Sequence, residues 1–83
     1  MNKEFVTYVL YSKSFDKIYI GFTSNLMLRF KSHNIFGKGY TKKYRPWMVI
    51  YVEFFDCKKE AFQREKELKS SRGRNFIRNI IDK

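Results

Sequence analysis

The stretch that decides the fold is FVTYVLYSKSFDKIYIGF, residues Phe5–Phe22. Almost every residue of Phe5–Ser12 is β-branched, aliphatic or aromatic, and apolar side chains fall on both of its alternating faces. This pattern predicts a strand that is covered on both sides. Residues Lys17–Phe22 have a similar composition and follow the short segment Lys13–Asp16. The two strands are therefore predicted to form an antiparallel hairpin.

The rest of the chain is predicted to add one strand and three helices. Trp47–Phe55 is an apolar run broken only by Glu53, and Pro46 favours an extended conformation just before it. Helices are predicted over Asn25–Asn34, capped by Thr23 or Ser24, over Lys58–Ser70, capped by Asp56, and over Asn75–Ile81, after a break at Gly73. The segment Ile35–Pro46 is predicted to be a loop. We expect one α/β domain over residues 1–83, a three-stranded antiparallel sheet flanked by helices in the order β-β-α-β-α-α.

Length and composition exclude several classes of protein. The 83 residues leave room for one domain, and a hydrophobic content of 43% with 19% aromatic residues argues against disorder. Because Cys57 and His33 are the only residues of their types, the chain cannot form an intramolecular disulfide, a cysteine-based zinc site or a multi-histidine metal site. No apolar run approaches a membrane span, and Glu4 interrupts any signal-peptide pattern. We expect a soluble, cytoplasmic protein without a membrane partner.

The charge distribution indicates a polyanionic partner. Lysine and arginine total 18 against 8 aspartate and glutamate, a net charge of +10. No acidic residue lies between Lys17 and Val52, and basic and aromatic residues crowd together in Lys38–Arg45. Since cationic side chains release counterions from phosphates, this segment offers candidate nucleic-acid contacts, namely Lys38, Lys42, Lys43 and Arg45. A solvated surface loop is the alternative interpretation.

Three further side chains do not fit a purely structural pattern. Glu65 shares a helical stripe with Ala61 and Leu68, where a carboxylate is unfavourable unless it is paired or binds a cation. Pairing with a lysine or arginine at the edge of the stripe is the structural alternative. Arg29 and His33 are four residues apart on one side of their helix. They could bind a phosphate, or they could stabilise the end of that helix.

Two tyrosines occupy the predicted hairpin, Tyr8 on its first strand and Tyr19 on its second. Most tyrosines in strands serve packing alone. Their hydroxyl groups become chemically useful when they lie near a cation or an arginine, because such neighbours favour the phenolate.

Taken in order, these residues resemble the GIY-YIG nuclease family. Val6-Thr7-Tyr8 keeps the tyrosine of the first half of the naming motif, and Tyr19-Ile20-Gly21 matches the second half in full. Arg29 follows Gly21 at the position of the family's phosphate-binding arginine, and His33, a common family residue, comes four positions later. The ordered set is more specific than either tripeptide.

The second half of the chain extends the resemblance. Gly39–Trp47 is similar to the basic loop and following strand of small stand-alone members of the family. Ala61–Lys69 is similar to the helix that supplies the single metal-binding glutamate, and that glutamate maps onto Glu65. Asn75 is the nearest counterpart of a late asparagine found in several members, with Asn79 as an alternative.

The resemblance implies hydrolysis of a DNA phosphodiester bond with one Mg²⁺ or Mn²⁺ ion held by Glu65. Arg29 would hold a phosphate oxygen, and Tyr8 or Tyr19 would orient or deprotonate the attacking water. His33 would help to accept the proton, and which of these three residues is the general base stays open. DNA contacts would come from the basic segment together with Arg29 and Asn75.

A small domain contacts few base pairs, so we expect structured or damaged DNA as substrate, with little sequence readout. A homodimer or a protein partner would extend the contact surface, and repair, recombination and mobile-element maintenance all stay open as pathways. The first alternative function is a catalytically weak or inactive nucleic-acid-binding module of the same fold. The second is an interaction protein that uses exposed aromatic residues, whose binding would be insensitive to salt.

Overall fold

The structure is a computed structural model that describes residues 4–34 and 39–82, and the side chains of residues 32–34 lie outside the description. The described elements follow one another as β1 (Phe5–Ser12), β2 (Lys17–Thr23), α1 (Leu26–Asn34), α2 (Tyr40–Lys43), β3 (Met48–Phe55), α3 (Lys58–Lys69) and α4 (Ser71–Ile81). The three strands form an antiparallel sheet in the order β2-β1-β3. The predicted α/β fold is confirmed, with α2 as an additional short helix.

Strand β1 lies at the centre of the sheet, as its composition predicts. Residues Val6–Leu10 are all buried, because helices or loops cover both faces and a strand pairs along each edge. Tyr8 is opposite Gly21 of β2 and opposite Val52 of β3. On the other face, the Thr7 hydroxyl donates a hydrogen bond of 2.7 Å to the carbonyl oxygen of Ala61, which ties α3 to the sheet.

The two faces of the sheet carry different kinds of core. Neighbouring residues of a strand point to opposite faces, so Val9 and Leu10 belong to separate clusters. The aliphatic cluster lies under α3 and α4 and comprises Val9, Ile20, Leu68 and Ile77. The aromatic cluster comprises Tyr8, Leu10 and Trp47, and the partly buried residues Tyr19, Leu26, Phe30, Tyr44 and Val52 pack against it.

The helix caps differ from those predicted. Asn25, rather than Thr23 or Ser24, caps α1, since its Oδ1 accepts a hydrogen bond of 3.0 Å from the Leu28 amide. The Thr23 hydroxyl instead accepts from the Asn25 amide at 3.1 Å and so orders the approach to the helix. At α3 the cap position falls on Cys57 rather than Asp56, and the Cys57 side chain makes no capping hydrogen bond to the helix backbone.

The last helix begins earlier than predicted. Ser70 separates α3 from α4, and its Oγ accepts a hydrogen bond of 3.2 Å from the Gly73 amide. Gly73 therefore lies inside α4 and is not a helix breaker. A side chain at Gly73 would collide with the backbone of Glu67 and Leu68, so glycine is required for the close approach of the two helices.

Helix α2 lies within the segment that was predicted to be a loop. A single turn is too short to show helical periodicity in the sequence. Tertiary contacts fix it, since the Trp47 indole donates a buried hydrogen bond of 2.9 Å to the Thr41 carbonyl oxygen. The Tyr40 hydroxyl also donates to the Ile18 carbonyl oxygen at 3.3 Å and joins α2 to β2. Within the described ranges, no helix has the length and apolar character needed to cross a bilayer.

Candidate active site

A groove of about 360 Å³ runs along the outer edge of β2. Three consecutive residues of this edge strand contribute to it, which places the groove at the margin of the sheet rather than over one face. Its lining comes from β2, α2, α3 and α4, and comprises Ile18, Tyr19, Ile20, Tyr40, Glu65, Lys69 and Arg74. One carboxylate, two cations and two phenols therefore meet in one hollow, although they are far apart in the sequence.

Tyr8 approaches this edge from the central strand. Its ring and that of Tyr19 are nearly parallel, with 6.3 Å between the ring centroids and 22° between the planes. A Cβ atom at Gly21 would lie 2.7 Å from the Tyr8 hydroxyl oxygen and 2.9 Å from Cζ. The Tyr8 ring thus leans across the space that a side chain at Gly21 would fill. This is a physical reason for a glycine after Tyr19-Ile20.

The charges around Tyr8 show that the predicted site residues act on one another. Burial raises the pKa of the Tyr8 hydroxyl well above its ordinary value, and the charges of Tyr19 and Glu65 raise it further. The charge of Arg29 acts in the opposite direction and lowers the same pKa. Tyr8 therefore keeps its proton, and with it the ability to donate a hydrogen bond, to higher pH than an ordinary tyrosine does.

Glu65 lies inside the groove with its carboxylate paired. Only 13% of its side chain is exposed, and its Oε2 lies 3.1 Å from the Lys69 ammonium. This agrees with both interpretations of the sequence, because Glu65 shares the inward stripe of α3 and also pairs with a cation at its edge. The neighbouring Glu67 is different, since half of its side chain is exposed and it pairs with Arg64 at 3.1 Å.

Arg29 lies on α1 and is exposed. It lines a second pocket, of about 380 Å³, with Thr23, Ser24, Asn25 and Leu28, next to the capped start of the helix. Its charge lowers the pKa of Tyr8, which stacks on the groove residue Tyr19. The His33 side chain lies outside the described residues, so its predicted role stays a prediction.

The basic segment presents cations beside aromatic rings. Lys42, Lys43 and Arg45 are exposed, whereas Lys38 lies outside the described residues. The ammonium groups of Lys17 and Lys43 lie 5.2 Å and 5.4 Å from the centre of the Tyr44 ring. Cations and rings are thus arranged as in surfaces that hold both the phosphates and the bases of a nucleic acid.

At the other end of the groove, Arg74 rather than Asn75 contributes to the lining. Asn75 is exposed on α4, and its predicted contact with DNA stays a prediction. Sequence reasoning did not single out Tyr40, Lys69 or Arg74. The spacing of four residues between Glu65 and Lys69 was a usable signal, because such pairs face each other on a helix.

The donor set fits one hard cation. Glu65 supplies a carboxylate next to open, polar space, and Mg²⁺ ordinarily keeps several waters beside one or two carboxylates. No group of three or more histidine, cysteine, aspartate or glutamate residues occurs within residues 4–34 and 39–82. A pair of ions would lack protein ligands among these residues.

The chain is similar to a known family over most of its length. Residues 4–78 match the family described as the GIY-YIG catalytic domain. A UPF0213 protein of Staphylococcus haemolyticus is 42% identical over 72 residues, which are 84% of this chain and 84% of that protein. A UPF0213 protein of Clostridium perfringens is 41% identical over 63 residues, which are 75% of this chain and 67% of that protein.

A solved structure shares the fold. The solution NMR structure of a UPF0213 protein from Bacillus halodurans aligns with a TM-score of 0.54 and 28% sequence identity. The alignment covers 92% of this chain and 83% of the other. The names of these relatives state no activity.

Proposed function

Because the chain belongs to the GIY-YIG family of nucleases, we propose that it is a metal-dependent DNA endonuclease that hydrolyses a phosphodiester bond. One observation carries this proposal. Tyr19 and Glu65 line the groove at the edge of β2, the Tyr8 ring stacks on that of Tyr19, and the charge of Arg29 acts on Tyr8. A largely buried carboxylate beside open, polar space can hold a divalent ion, which DNA binding alone does not require.

The surroundings of each residue suggest its role in the reaction. The Arg29 guanidinium holds a non-bridging phosphate oxygen through a charge-assisted fork. The raised pKa of Tyr8 disfavours its phenolate, so Tyr8 acts as a hydrogen-bond donor to the phosphate or to the attacking water. Tyr19 lines the groove and orients that water. The role of His33 in accepting the proton stays a prediction, because its side chain lies outside the described residues.

Glu65 would hold the ion, Mg²⁺ or Mn²⁺, which supplies charge neutralisation for the leaving oxygen. The groove leaves room for the water and phosphate oxygens that such an ion requires. Single-metal hydrolysis fits this chain because Glu65 is the one carboxylate that the described residues contribute to the groove lining.

The exposed aromatic residues favour structured DNA as the substrate. Tyr40 lies on the groove with 47% of its surface exposed, and the Tyr44 ring lies 4.9 Å from it, centroid to centroid. Phe15, 49% exposed, packs on Tyr44 at 5.4 Å. Unpaired bases stack on such rings without sequence preference. We therefore propose branched, damaged or partly single-stranded DNA in the cytoplasm, with Lys42, Lys43 and Arg45 on the backbone.

A cleavage assay with Glu65→Gln tests the proposal. Labelled duplex, branched and single-stranded oligonucleotides are incubated with Mg²⁺ or Mn²⁺, and Glu67→Gln on the outer side of α3 serves as the control. We expect Glu65→Gln to slow cleavage at least about 100-fold without weakening DNA binding, since it removes charge stabilisation rather than a phosphate contact. The control should cleave like the wild type.

Two outcomes contradict the proposal. Metal-dependent cleavage that survives Glu65→Gln would show that the sheltered carboxylate has no part in the reaction. A wild-type chain that binds these DNAs but cuts none of them, with either ion, would identify an inactive binding module of the same fold.

A further inference from the structure

The Glu65 carboxylate already holds a cation that belongs to the chain. The Lys69 ammonium lies 3.1 Å from Glu65 Oε2, one helical turn further along α3. We propose that Lys69 is a built-in counter-ion of Glu65 that a divalent metal ion displaces, and that the released ammonium binds a neighbouring DNA phosphate together with Arg74. This inference rests on the function proposed above and adds a second phosphate site to it.

The burial of the two partners decides which of them moves. The Glu65 side chain is 13% exposed and fixed among β2 and α3, whereas the Lys69 side chain is 51% exposed. A carboxylate with this little exposure stays in the groove, and the long lysine side chain can swing into solvent. The ion pair is also weak enough to exchange, since lysine–carboxylate pairs four residues apart on a helix contribute little to stability.

Arg74 is held where a second phosphate would lie. Its Nε donates a hydrogen bond of 3.2 Å to the Lys69 carbonyl oxygen at the end of α3, which anchors the guanidinium at the mouth of the groove. A guanidinium has five N–H donors, so one bond to a carbonyl leaves others for a phosphate. Arg74 bonds to the backbone of Lys69, and both residues line the groove, so their two cations lie close together.

Charge balance explains why displacement and DNA binding belong together. In the free protein, Lys69 neutralises Glu65 and opposes the arrival of another cation. Once a divalent ion lies on Glu65, that ion, Lys69 and Arg74 leave this end of the groove strongly positive. A strand of phosphates is the ligand that relieves this repulsion. Lys69 and Arg74 would then hold one part of a strand, and Arg29, in its separate pocket, would hold another.

The first test measures metal binding without any cleavage. Mn²⁺ is titrated into the free protein and followed by electron paramagnetic resonance, for the wild type, for Lys69→Met and for Lys66→Met. Lys66→Met is the matched control, because it removes the same charge from α3. The Lys66 ammonium lies over the Phe62 ring, 5.6 Å from its centre, and not on Glu65. We expect Lys69→Met to tighten Mn²⁺ binding about two- to fivefold, the strength of an exposed ion pair. Lys66→Met should change it less.

The second test measures the phosphate contact. DNA affinity is determined at several salt concentrations with Ca²⁺ present, a hard ion that takes the same oxygen ligands. Losing one phosphate contact should lower the slope of log affinity against log salt by about one for Lys69→Met. Lys66→Met should keep the wild-type slope.

The outcomes separate this inference from the proposed function. Unchanged or weaker Mn²⁺ binding by Lys69→Met overturns the counter-ion role, and an unchanged salt slope overturns the second phosphate site. If Glu65→Gln abolishes Mn²⁺ binding and cleavage while Lys69→Met behaves like Lys66→Met, the nuclease function stands and the inference fails. If Glu65→Gln retains both Mn²⁺ binding and cleavage, it is the proposed function that fails.

Discussion

The two faces of the sheet differ in how far their side-chain clusters are exposed. Under α3 and α4, the aliphatic cluster consists of closely packed branched side chains, and Val9 and Ile77 have no exposed surface. Under α1 and α2, the aromatic cluster begins equally buried at Tyr8 and Trp47 but continues outward through Tyr19, Tyr40 and Tyr44 to the surface. The aliphatic cluster is a closed core, whereas the aromatic cluster extends from the core to the groove.

Helix α3 connects the two faces. Leu68 belongs to the aliphatic cluster, whereas Glu65, three residues earlier, lines the groove at the edge of β2. The position of the carboxylate is therefore set by packing that takes no part in the chemistry. The difference between the faces teaches that stability and activity should separate on substitution, with the first sensitive to the aliphatic cluster and the second to the groove.

The largest expected effect is on cleavage by Arg29→Ala. Arg29 is exposed on α1, so its removal should leave the free energy of unfolding nearly unchanged. The cleavage rate should fall about 100- to 1000-fold, because a donor to the phosphate oxygen is lost. Single-turnover rates and chemical denaturation measure the two quantities.

Two companion variants sharpen this result. Lys31→Ala removes one charge from the same helix and should lose only affinity, since Lys31 is exposed and not part of the pocket that Arg29 lines. Arg29→Lys should recover only part of the rate, because an ammonium cannot form the two parallel bonds of a guanidinium. A rate for Arg29→Ala close to that of Lys31→Ala would remove Arg29 from the chemistry.

Leu68→Ala should give the converse result. The Leu68 side chain is 1% exposed in the aliphatic cluster, so truncation should lower the free energy of unfolding by about 2–5 kcal/mol. At a temperature where the variant stays folded, cleavage per folded molecule should fall much less than for Arg29→Ala. Thermal unfolding with a parallel rate measurement checks this. A large loss of rate in a stable variant would mean that the two faces are not separable.

The sequence predicted the elements whose signal is local. Residues Phe5–Ser12 are apolar on both faces, which identified a central strand, and the bounds of β1 are as predicted. The stripe shared by Ala61 and Leu68 identified Glu65 as an inward carboxylate, and its low exposure agrees. In these cases the deciding information lies within one helix or strand.

The features that were not predicted from the sequence depend on contacts between helices and strands. Helix α2 exists because of the bond from Trp47 to Thr41, which no periodicity of four residues reveals. Gly73 was interpreted as a break because its close contact with the backbone of α3 appears only in three dimensions. The full set of groove-lining residues could not be predicted either, because Tyr40 and Arg74 reach the groove from separate helices.

A smaller effect is expected for Gly21→Ala, which acts on the aromatic face, opposite Tyr8. The added methyl group would meet the Tyr8 hydroxyl at 2.7 Å and Tyr19 Cε1 at 3.3 Å, so the Tyr8 ring must move. We expect cleavage to slow about tenfold or more through misplacement of the phenol, with DNA affinity nearly unchanged. The measurement is a rate at saturating protein beside a binding curve.

Gly39→Ala serves as the control for this glycine. A Cβ at Gly39 would meet no atom of the described residues within 4 Å, although the positive φ of 56° disfavours a side chain there. This variant should therefore lose stability through backbone strain while slowing cleavage less than Gly21→Ala. Equal rates for the two variants would show that the position of the Tyr8 ring does not matter.

The smallest effect concerns the pH dependence of stability and depends on Tyr8 alone. The folded state raises the pKa of the Tyr8 hydroxyl above its value of about 10 in the unfolded chain, chiefly by burial. Below that pH neither state has lost the proton, so Tyr8 adds no pH dependence. As the pH rises beyond it, the unfolded state releases the proton while the folded state keeps it, and stability falls.

The wild type should therefore lose up to about 1.4 kcal/mol of unfolding free energy per pH unit more than Tyr8→Phe above that pH. Chemical denaturation of both proteins across the alkaline range measures this difference. Curves that stay parallel throughout would mean that the Tyr8 hydroxyl is no harder to ionise in the folded chain than in the unfolded chain.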